Sequence, residues 1–118
     1  MTDHTHSPGK GVQSELAPMA RELRQMIPDV LQGFTQLHLA AMAEGSLSTK
    51  MKELIALAIA ISHRCDGCIA SHARGAAKQG ATEQEVAEAI GVAILMTGGP
   101  ATTYGPRAFA AFKEFAES

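Results

Sequence analysis

Residues 53–72 read ELIALAIAISHRCDGCIASH, and this stretch decides the fold. Its first half, Leu54 to Ile61, is apolar at every position. Eight residues are too few to cross a bilayer, and the β-branched residues fall within helical periods. The run reads as a helix that must be covered on all sides. Its second half places Cys65 and Cys68 three apart, and Cys68 and His72 four apart. On a helix those intervals share one face, so two thiols and an imidazole line up along one stripe.

Working outward, every flanking segment is also helical in pattern. Toward the N-terminus, Leu16, Met19, Ala20, Leu23, Met26 and Ile27 recur at three- and four-residue spacing. Pro28 opens a second helix carrying Val30, Leu31, Phe34, Leu37, Leu39 and Met42, with Gly45 as its expected left-handed stop. Ser48 or Thr49 is the expected N-cap of the helix holding residues 54–61. A fourth helix is expected over about Cys65 to Gln79, closed by Gly80. Thr82 and Glu85 have the spacing of a capping box for a fifth. Gly98-Gly99-Pro100 breaks that helix. A last segment to about Ala116 carries Tyr104, Phe109, Phe112 and Phe115, with Pro106 expected to kink or restart it. The fold class is therefore all-α, with about six helices. Residues 1–13 read as a mobile leader, with His4 and His6 in a solvated tail, and residues 14–118 as the domain.

The bulk numbers agree with one globular domain. The chain has 118 residues, 46% hydrophobic and 19% charged, with a net charge of -2. That balance gives no basic face for nucleic acid. Without a readable secretory signal or membrane span, the expected place is the cytoplasm, where a close cysteine pair is more often catalytic or metal-binding than a structural staple. A small domain rarely surrounds one of its own helices, so the run 54–61 also implies a homo-oligomer.

The chemistry of the Cys65–His72 stripe follows from its parts. The thiolate is the nucleophile, and a helix N-terminus favours it. A neutral imidazole nearby accepts the thiol proton. A second thiol then attacks a sulfenic acid or mixed disulfide. Other readings stay open. The pair could bind zinc with His63 and His72, although no second ligand pair follows after a spacer. A thioredoxin-like site needs a βαβ context, which is missing. Glu53 lies 12 residues before Cys65, and spacing alone does not bring it to His72. His38 reads as a core or interface residue and His63 as a helix-end residue. Asp66 suits the first turn of a helix, but its charge works against a neighbouring thiolate.

Glu53, Cys65-Asp-Gly-Cys68, His72-Ala-Arg74-Gly75-Ala76, Gly80-Ala-Thr82, Glu85 and Gly98-Gly99-Pro100 closely resemble the alkylhydroperoxidase D-like branch of the carboxymuconolactone decarboxylase superfamily. The resemblance implies a helical bundle assembled as a homotrimer or homohexamer. It implies a thiol-dependent peroxidase of alkylhydroperoxidase type, reducing a small hydroperoxide and regenerated by a dithiol donor of protein or lipoyl type. It further implies a proton relay through Glu53, His72 and Cys68, with Cys65 as the resolving thiol. No cofactor, metal, nucleic acid or membrane is called for. The best-studied members carry an extra histidine directly before the second cysteine, where this chain has Gly67. The decarboxylase branch opens a lactone without a cysteine pair. A lyase of that type and a non-enzymatic redox sensor are the alternative functions.

Overall fold

The computed structural model describes residues 7–117, which include six α-helices and no strand. They are α1 (Lys10–Met26), α2 (Pro28–Met42), α3 (Thr49–His63), α4 (Asp66–Lys78), α5 (Glu83–Thr97) and α6 (Gly99–Ala116). The all-α expectation holds. His4 and His6 lie outside the described residues.

Helices α3, α4, α6 and α5 pack in a ring, each against the next, with α3 also touching α6. Their shared core holds Leu57, Ile61, Ile69, Val86, Ile90 and Phe112. Alanines at 73, 76, 101, 108 and 111 are fully buried and let the helices approach closely. Gly105 belongs to the same design, because a Cβ there would come 2.7 Å from Ile90 Cγ2.

Local signals set most boundaries. Ser48 Oγ accepts from Met51 N at 3.0 Å and caps α3. Thr82 and Glu85 form the capping box of α5, with bonds of 3.1 and 2.9 Å. Gly80 and Gly98 take φ of +77° and +76°, conformations in which a glycine carries no steric penalty.

Three boundaries differ from expectation. First, α1 begins at Lys10, inside the stretch read as a mobile leader. The reason is tertiary. Ser7 Oγ and Lys10 N both donate to Glu114 Oε1, at 2.7 and 2.8 Å, and Gly9 packs against Phe115. Second, α2 ends at Met42, where Ala43 turns extended, and Gly45 is not a left-handed cap. Thr49 Oγ1 and Lys52 Nζ instead satisfy the carbonyls of Met42 and Ala43, at 2.8 and 2.6 Å. Third, α6 does not restart at Pro106. Pro106 and Thr102, whose carbonyl loses its partner, are both exposed, so water can replace the missing bond.

The α1–α2 hairpin stands apart. Neither helix has a buried residue. The hairpin rests on the bundle through α1 against α4 and α6, and through α2 against α3.

Candidate functional site

The site is built where α3 turns into α4. Arg64 caps α3 in the left-handed region, at φ 54°, and its N–H closes on Ile61 O. Cys65 N then bonds to Ala60 O at 3.2 Å. This tight reversal makes Cys65 the N-cap of α4 and leaves Cys68 in the first turn. The helix proper therefore begins at Asp66, in keeping with the expected start at about Cys65, and only Cys68 of the pair is within it. Cys65 and Cys68 are joined as a disulfide, with Cα atoms 5.2 Å apart. Cys68 N also donates to Cys65 Sγ at 3.2 Å. A thiolate released at Cys65 would keep that backbone donor and the positive end of the α4 dipole.

His72 follows one turn after Cys68, as its spacing required. Its Nδ1 lies 2.8 Å from Glu53 Oε1. Glu53 is the buried charged residue of the core, at 7% exposure, and His72 is half-buried. With the carboxylate ionised, Nδ1 is the donor and Nε2 is left to exchange protons. The contact depends on a gap in α4: a Cβ at Gly75 would collide with the Glu53 carboxylate. Glu53 thus joins the site through the packing of α3 on α4.

Cys68 is exposed and lines a cavity of about 240 Å³ with Ala56, Ile59, Ala60, His63 and His72. Two imidazoles thus share an apolar-walled cavity with the Cys68 half of the disulfide. His63, read from sequence as a helix-end residue, is both the last residue of α3 and part of this wall. His38 also reaches the site from α2, its ring stacked on His72 with centroids 6.1 Å apart. Neither placement could be found from sequence, because no helical interval links these residues. A larger groove of about 730 Å³ lies between α1, α4 and α6 and contains neither cysteine nor histidine. The smaller cavity is the one lined by Cys68, His63 and His72.

Two neighbours adjust the surroundings. Asp66, adjacent to Cys65, pairs with Arg107 of α6 at 3.3 Å, which offsets its negative charge beside the thiols. Gly67 faces Leu16 of α1, where a Cβ would come within 3.1 Å of Leu16 Cδ1. The hairpin therefore covers Gly67 through Leu16. Among the described residues, no group of three or more His, Cys, Asp or Glu is placed to hold a metal ion.

Residues 28–115 match the model of the carboxymuconolactone decarboxylase family, about three quarters of the chain. The chain belongs to the carboxymuconolactone decarboxylase family. The fold agrees: the apo form of a carboxymuconolactone decarboxylase family protein from Legionella pneumophila superposes with a TM-score of 0.85 and is 37% identical. The match covers 89% of this chain and 94% of that one. An uncharacterized protein of Haemophilus influenzae is 45% identical over 91 residues, covering 77% of this chain and 80% of its own length. One from Cupriavidus necator is 38% identical over 90 residues, or 76% of this chain and 80% of that protein. Family membership fits both the helical bundle and the cysteine pair. No helix among the described residues is long and apolar enough to cross a membrane.

Proposed function

We propose that this family member is a thiol-dependent peroxidase that reduces a small hydroperoxide and is regenerated by a dithiol donor. The observation that carries this reading is the Cys65–Cys68 pair at the start of α4, one turn before a histidine already bonded to a buried glutamate. In the reduced protein, His72 Nε2 accepts the Cys68 proton. The thiolate attacks the terminal, hydrogen-bearing peroxide oxygen. The O–O bond breaks, Cys68 becomes a sulfenic acid, and the alkoxide takes a proton from His72 to leave as an alcohol. Cys65 then attacks the Cys68 sulfur, forming the disulfide and releasing water. A dithiol restores the two thiols by exchange. Exposure favours Cys68 as the attacking group, and its half-buried partner Cys65 as the resolving one.

The reading places the protein in a reducing compartment such as the cytoplasm, where a dithiol donor is at hand. It also includes a homotrimer or homohexamer. Its support is the apolar surface left on the hairpin, with Met26, Val30, Phe34 and Leu39 between 64% and 77% exposed. Sedimentation showing only monomer at micromolar concentration would remove that part.

Peroxide consumption with dithiothreitol as reductant tests the activity. Cys68→Ser is expected to abolish turnover, and His72→Ala to slow it about a hundredfold or more, as loss of a proton-transfer group does. Full activity in Cys68→Ser refutes the assignment. Turnover of a carboxymuconolactone by the double Cys→Ser variant would support a lyase instead.

A further inference from the structure

Helix α2 exposes all its residues except Leu31, His38 and Met42, which are half-buried on the side toward the bundle. His38 is the polar member of that stripe. Among the described residues it makes no hydrogen bond or ion pair; its ring neighbour is His72. The centroids are 6.1 Å apart and the planes differ by 22°. His72 thus has two neighbours on its ring: Glu53 bonds its Nδ1 edge, and the His38 ring is stacked at 6.1 Å between centroids, nearly parallel to it.

These constraints differ. A single hydrogen bond at Nδ1 restrains the ring but tolerates bending, so the ring plane keeps some freedom about the Cβ–Cγ bond. The second torsion of histidine is broad, so the rotamer does not fix the plane either. A flat neighbour does. We propose that His38 is a positioning residue for the cysteine chemistry, holding the plane of His72 so that the nitrogen left free by Glu53 serves Cys68. This rests on the peroxidase reading for its rate consequence, though not for its structural one. The role requires a flat ring and not a proton. A stacked aromatic pair contributes about 0.5–1.5 kcal/mol, which corresponds to about a twofold to tenfold change in rate if the stack is kept through the proton transfer.

The test uses the full chain and three substitutions: His38→Ala removes the ring, His38→Phe keeps a ring without a titratable nitrogen, and His38→Gln keeps polarity without a ring. Three quantities are read: kcat and KM for tert-butyl hydroperoxide with dithiothreitol, the iodoacetamide alkylation rate of Cys68 in a Cys65→Ser background, and the ring-proton resonances of His72. In His38→Ala, kcat and the alkylation rate are expected to fall about twofold to tenfold, with KM for the peroxide unchanged and the His72 resonances shifted. His38→Phe restores both rates, and His38→Gln behaves as His38→Ala. Unshifted His72 resonances in His38→Ala overturn the proposal, as does rescue by glutamine equal to that by phenylalanine. A wild-type protein that consumes no peroxide defeats the peroxidase reading, while the alkylation and resonance measurements still decide the role of His38.

Discussion

Helices α1–α2 and helices α3–α6 are written in a similar apolar alphabet and meet opposite environments. In both, large hydrophobic residues recur at helical spacing. In the bundle, Leu57, Ile61, Ile69 and Phe112 are at most 1% exposed. In the hairpin, Met19, Leu23, Val30 and Leu37 are 52–65% exposed. The difference lies in the partners. Helices α3–α6 carry small residues that allow four helices to close around one core, whereas the hairpin lies on one side of that bundle with no described helix packed on its outer face. A periodic apolar stripe states that a surface needs covering; it does not say what covers it. The hairpin nevertheless supplies the site with His38 and backs Gly67 with Leu16.

The sharpest way to break this contrast is to cut side chains from both regions. Leu57→Ala is expected to cost about 2–5 kcal/mol in chemical denaturation, because it opens a cavity in a closed core. Phe34→Ala, 64% exposed, should stay within about 0.5 kcal/mol at high dilution. A cost for Phe34→Ala that grows with protein concentration would show that another copy covers the hairpin. A large cost independent of concentration would mean that the hairpin is buried within the single chain after all.

A somewhat smaller effect is expected at Gly75, where the bundle makes room for Glu53. Gly75→Ala should destabilise by about 1–3 kcal/mol through overpacking and push the carboxylate away from His72. The peroxide assay should then fall along with stability. Loss of stability with unchanged turnover would separate Glu53 from the chemistry.

The smallest effect is electrostatic and lies far from the cysteines. Glu85 has its carboxyl held below the ordinary carboxylate range, first by the Thr82 backbone N–H and then by Lys50, 2.9 Å away. A lowered folded pKa gives stability that is present above the unfolded value and is lost as pH falls through the folded one. Glu85→Gln should therefore reduce stability slightly at neutral pH and become indistinguishable from wild type in strong acid. An unchanged difference down to that range would contradict the assignment.

What could be read from the sequence was local. The helix starts at Thr82 and at Ser48 or its neighbour Thr49, the stops at Gly80 and Gly98, and the shared face of Cys68 and His72 all depend on residues within about one turn of each other. The expected stop at Gly45 failed because α2 is ended by side chains of Thr49 and Lys52, which belong to the next helix. The start of α1 was missed because Glu114, at the other end of the chain, caps it.

The site divides the same way. The sequence by itself determined an all-helical chain with a cysteine pair and a histidine on consecutive turns, because helical geometry converts spacing directly into position. Only the tertiary structure brought His63 into the Cys68 cavity and His38 onto the His72 ring, and the Glu53–His72 pairing, which spacing did not give and the family resemblance implied, is made by α3 packing on α4. Those contacts cross from one helix to another. They are decided by how closely helices pack, as at Gly75, and not by any interval along the chain.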